Sequence, residues 1–131
     1  MRRLRTILGA GTALAAALLG ATPAAAQPAL AGTTFCFPSS PSDVTSQVSV
    51  WTTVHIRNCP WRDGSTMTLP AQTLNSVCQA TGETVTDPVY GSNNWWTYVI
   101  LGENSGWISN IYLRGDAHLN NVPDCASITQ H

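Results

Sequence analysis

Apolar and polar residues alternate through Thr53–Arg57, with Val54 and Ile56 facing one way and His55 and Arg57 the other. Period-two patterning of this kind predicts a half-buried strand. Thr73 to Ala80 alternates again, placing Leu74, Ser76 and Cys78 on one side and Val77 on the other. Trp95 to Leu101 is the most apolar run of the later chain, rich in aromatic and β-branched residues, and predicts a further strand. Gly102-Glu103-Asn104-Ser105-Gly106 reads as a hairpin connection to a returning strand at Trp107-Ile108, and Ser109-Asn110 as a short break before Ile111-Tyr112-Leu113. Asp63-Gly64 is turn chemistry, Thr81-Gly82-Glu83 reads as turning the chain, and Asp87-Pro88 with Gly91-Ser92-Asn93-Asn94 as marking a long loop between these runs. No segment after residue 26 sustains an apolar period of 3.6. Short strands punctuated by turns predict an all-β domain, a small barrel of about five strands.

The first residues follow a different pattern. Arg2, Arg3 and Arg5 precede an apolar run from Ile7 to Gly20, and Ala24-Ala25-Ala26 puts small residues before Gln27. This is the pattern of a cleaved export signal over residues 1–26. The run is shorter than the roughly 20 residues that cross a bilayer, so no membrane span is expected in the mature chain. Residues 27–50 are rich in Pro, Ser and Thr and read as an arm, with 27–34 a disordered leader and the rest pinned at Cys36. Residues 51–125 are expected to form the barrel, and 126–131 a polar tail.

Four cysteines, Cys36, Cys59, Cys78 and Cys125, all fall after the signal. An even number in a small exported chain predicts two disulfides. Three connectivities are possible, and Cys36–Cys59 with Cys78–Cys125 is the favoured one, closing loops worth about 3 and about 4 kcal/mol of chain entropy. His55-x-x-x-Cys59 and Asp116-x-His118 are isolated pairs, without the spacing of a metal site. Neither a metal nor a cofactor is expected.

Charge narrows the partners. The 131 residues contain no Lys, and beyond residue 26 three arginines stand against seven acids, a net of −4. Such a surface has no phosphate-neutralising patch, so nucleic acid and anionic lipid are not expected partners. The carboxylates are scattered, and no Gly-x-Ser-x-Gly elbow, His-Glu-x-x-His or phosphate-cradling loop occurs. Disulfide pairing removes the thiols as nucleophiles. The expectation is a protein without catalytic activity.

Several segments together resemble one family. Val54-His-Ile-Arg-Asn-Cys-Pro60 resembles the first-strand signature of bacterial Src-homology-three (SH3-like) domains. Leu69-Pro-Ala-Gln-Thr73 is similar to their Leu-Pro-x-Gly-Thr turn, with Gln72 in place of Gly. Asn94-Trp-Trp-Thr-Tyr-Val99 and Ser105-Gly-Trp-Ile-Ser-Asn-Ile-Tyr-Leu113 resemble the tryptophan strand and the closing strand. Cys78-Gln-Ala-Thr-Gly-Glu83 with a late Cys125 is similar to the secreted actinobacterial branch. The resemblance spans roughly 52–125. His55 departs from the family's Asn, Ser109 from its usual Pro, and Cys36 with Cys59 would be an additional bridge.

The resemblance implies an SH3-like barrel and a ligand groove walled by Trp95 and Tyr112. Trp61, in the loop after the first strand, is the third candidate wall, while Trp96 and Trp107 are expected in the core. Domains of this kind usually bind wall components, so the implied function is recognition of a cell-wall peptide or glycan, or of an extracellular protein. The alternative is a secreted inhibitor, for example of a protease, contacting its target through loops 58–66 and 86–94. The partner is then peptidoglycan or a secreted or cell-surface protein, and the protein is expected outside the cell or on its wall.

Overall fold

The computed structural model describes residues 34–61 and 64–131. The expected signal and most of the leader lie outside the described residues. The described chain is all-β: β1 (Cys36–Ser39), β2 (Ser46–Val50), β3 (Val54–Arg57), β4 (Ser65–Leu69), β5 (Gln72–Asp87), β6 (Gly91–Leu101), β7 (Asn104–Ser109) and β8 (Ser127–Gln130). Six of these form one curled, half-barrel sheet in the order β2-β5-β6-β7-β3-β4, and β1 pairs with β8 as a separate ribbon. A 3₁₀ turn at Asn110–Tyr112 follows β7, started by the Ser109 side chain, which accepts from the Ile111 N–H. Among the described residues no helix is long and apolar enough to cross a membrane.

Both faces of the central strands are covered, which explains why Trp96 through Val99 are all buried although strand residues alternate. On one face Val99 and Ile108 pack with Val48, Val50, Val54, Ile56, Leu74 and the late residues Leu119 and Val122. On the other, Trp96, Tyr98 and Trp107 pack with Val85, Ile111 and the Cys36–Cys59 bridge. Tyr98 lies opposite Trp107, and their rings meet edge-on at 5.2 Å. The Trp107 Nε1–H donates to the Cys36 carbonyl at 2.8 Å and so ties the ribbon to this second core.

The two disulfides are Cys36–Cys59 and Cys78–Cys125, the favoured pairing. They are the chemistry of an oxidising compartment. Four sequence expectations are corrected. Residues 36–39 and 46–50, read as part of an arm, are strands: Val48 and Val50 alternate with Gln47 and Ser49, a period the Pro- and Ser-rich surroundings obscured. Within the supposed tail, Ser127–Gln130 is the strand that completes the ribbon. Thr81-Gly82-Glu83 does not turn the chain. The β5–β6 ladder shifts register between Thr81 and Val85 and then resumes, so the hairpin runs on to Asp87 and Gly91. Residues 91–94, expected in a long loop, instead begin β6, with 91–93 pairing with 85–87. Gly82 sits where a Cβ would come within 2.1 Å of the Pro60 carbonyl oxygen, so close approach rather than turning explains this glycine.

Candidate aromatic cleft

The β5–β6 hairpin turns through Asp87 to Gly91. The Asp87 Oδ1 accepts from the Val89 and Tyr90 N–H groups at 2.8 and 3.2 Å, an Asx-type turn that holds the tip rigid. Gly91 follows with φ +89°, a left-handed conformation that glycine adopts freely. The tip carries Tyr90 back to Trp51, and the two ring centroids are 4.0 Å apart with planes tilted by 57°.

Trp51 is fixed from its other side. Its backbone N–H donates to the Tyr112 carbonyl at 3.2 Å, and its Nε1–H donates to the Ile111 carbonyl at 3.3 Å. The neighbouring Val50 bridges Leu113, which draws the end of β2 against the 3₁₀ turn. Trp51 and Tyr112 consequently lie 6.3 Å apart, tilted by 47°. Three aromatic rings from three remote segments converge.

They wall a cleft of about 530 Å³ whose floor includes Val54, Val85 and Trp96 and whose polar lining includes His55, Arg57, Asp87 and Ser109. A second cleft of about 430 Å³ shares Trp51 and Tyr90 and continues past them to Asn93, Arg114 and Asp116. The Trp51–Tyr90 pair is therefore a ridge between two depressions. His55 points outward from β3, as its alternation predicts, and its Nδ1 lies 3.2 Å from the Thr68 hydroxyl.

Of the three residues expected to wall a groove, the structure brings Tyr112 to this cleft and neither of the others. Trp95 is half-buried, packing edge-on against His118 at 4.4 Å, and the His118 Nε2 lies 2.6 Å from Asp124. The late chain thus covers one side of Trp95. Trp61 is half-buried against the core that contains Cys36–Cys59. Trp96 and Trp107 are buried at 2% and 0% exposure, where they were expected. Trp51 and Tyr90 were missed. Trp51 stands at the edge of what read as an arm, and Tyr90, 52% exposed, is an aromatic placed among turn residues. An aromatic in that setting has no core to fill, and that was the available signal. Comparison with protein-family models, with curated proteins and with solved structures returns no match.

Proposed function

We propose that this protein is an exported, non-catalytic recognition module of the SH3-like kind, binding a wall component or an extracellular protein through the Trp51–Tyr90–Tyr112 cleft. The observation that carries the reading is the convergence of three rings, each at least partly solvent-facing, on a concavity whose lining mixes apolar and polar side chains. Clefts of this size, with aromatic walls and polar groups among them, suit small peptides and sugars. Two of the polar groups present are engaged in ways that favour holding over reacting. The Asp87 carboxylate supports its own turn and His55 meets Thr68. The disulfides and the sequence pattern of residues 1–26 support an extracellular or wall-associated location.

The test is retention on purified wall sacculi. The oxidised protein is expected to co-sediment, and Tyr90→Ala is expected to lose retention with a nearly unchanged melting temperature, because Tyr90 is largely exposed. Trp51→Ala should also lose it. Complete flow-through of the parent protein, or undiminished retention of Tyr90→Ala, would overturn the reading. The inhibitor alternative then becomes the one to assay, with the rigid tip at Val89, 75% exposed, as its contact.

A further inference from the structure

The chain has no Lys, and beyond residue 26 its cations are Arg57, Arg62 and Arg114. Two of those three line the two clefts: Arg57 the first, Arg114 the second. The one ion pair among the described residues is His118–Asp124, so neither guanidinium is neutralised by a carboxylate within the described fold. Each cleft also carries one carboxylate: Asp87, which accepts two backbone N–H groups, lines the first, and Asp116, which accepts from the Asn120 amide at 3.4 Å, lines the second. Neither is ion-paired with the arginine of its cleft.

Backbone features position both arginines. The β3–β4 register shifts between Ile56 and Arg57, and such a bulge redirects the side chain that follows. On the other side of the ridge the Arg114 N–H donates to the Ser49 carbonyl at 2.9 Å, which fixes its backbone next to Trp51. An acidic protein has thus placed two unpaired guanidinium groups on either side of one aromatic ridge.

From this juxtaposition we infer that the ligand is an extended acidic peptide that crosses the Trp51–Tyr90 ridge, with one carboxylate paired to Arg57 and another to Arg114. The inference rests on the cleft reading above and names its ligand class. Guanidinium is the planar donor fork that fits carboxylate. Two guanidinium groups favour a peptide bearing carboxylates over a neutral glycan, and the tilted rings of the ridge supply apolar contact to the chain that crosses it. Two adjoining depressions hold more than one residue, and a chain extending at about 3.3 Å per residue reaches both.

The test is calorimetric titration of the oxidised protein with the blocked peptides Ac-Glu-Leu-Glu-NH2 and Ac-Glu-Ala-Leu-Ala-Glu-NH2, beside their Gln counterparts and peptide-free glycan strands. At least one Glu peptide is expected to bind about tenfold tighter than its Gln form, the scale of charge-assisted hydrogen bonds at a partly exposed site. Arg57→Gln and Arg114→Gln should each remove several-fold of that preference, leaving the melting temperature unchanged. Equal binding of Glu and Gln peptides, no peptide binding, full preference in both arginine variants, or binding of the glycan strands instead would overturn the inference. If any of these occurs while Tyr90→Ala still abolishes sacculus retention, the acidic-peptide assignment alone fails. If Tyr90→Ala is retained, the cleft itself is wrong.

Discussion

The side-chain amide of Gln79 has two N–H donors and two acceptor lone pairs, and all four are used. Nε2 donates to the Leu119 and Val122 carbonyls at 2.7 and 2.6 Å, and Oε1 accepts from the Leu119 N–H and the Asn110 amide. Asn110 in turn accepts from the Thr97 hydroxyl at 2.5 Å and donates to the Ala117 carbonyl at 3.0 Å. Gln79 also exchanges backbone hydrogen bonds with Pro123 and Cys125. The irregular segment after the 3₁₀ turn, which supplies Leu119 and Val122 to the first core, is held by this one fully buried amide. Gln79→Leu would strand several buried donors and acceptors, each costing about 1–3 kcal/mol. A loss of at least 3 kcal/mol, or roughly a third of the stability of a domain this size, is expected in urea unfolding. A loss below 1 kcal/mol would show that the segment is held chiefly by its apolar contacts and the Cys78–Cys125 bridge.

Among the elements, the β1–β8 ribbon is the least integrated by sheet pairing. It joins the rest through the Cys36–Cys59 bridge, the Trp107–Cys36 hydrogen bond and the Cys36 N–H to the Asn58 carbonyl. Replacing both Cys36 and Cys59 by Ala should cost about 2–5 kcal/mol. Hydrogen exchange should find β1 and β8 deprotected while β5 and β6 stay protected. Uniform deprotection would mean that the ribbon is part of the central folding unit. Elements of this sort also mark where sequence reading stopped. Strands with clean alternation, β3 and the first half of β5, were legible because one face is apolar and the other wet. The β6 run was legible as a strand, but its two buried faces hid which Trp would be free. Trp95 is covered by His118, a contact made across 23 positions of chain that no local pattern carries. The ribbon was illegible because its strands are four residues long and lie at opposite ends of the described chain. Tyr112 was legible from the family resemblance, whereas Trp51 and Tyr90 meet only because a bulged hairpin bends its tip across the sheet.

For the whole molecule the decisive feature is that two apolar clusters share β6 and β7 as a common wall. Val99 and Ile108 face one cluster while Tyr98 and Trp107, their immediate neighbours, face the other. A strand cannot leave one core while remaining in the other, so the two are expected to melt together. Tryptophan emission reports mainly on the second cluster, where Trp96 and Trp107 are buried, whereas the far-ultraviolet amide signal reports on the entire sheet. In the parent protein the two probes should give coincident urea midpoints, the signature of an all-or-none transition. Val99→Ala removes two methyl groups from the first cluster, where Val99 is fully buried, at a cost of about 2 kcal/mol. Shared strands require this lesion to move the tryptophan midpoint as far as the amide midpoint, although no tryptophan belongs to the damaged cluster. If the amide midpoint falls while the tryptophan midpoint stays, the clusters are independent, and the cleft, whose floor draws on Val54 from one and Val85 with Trp96 from the other, would have no rigid base on which to hold its rings.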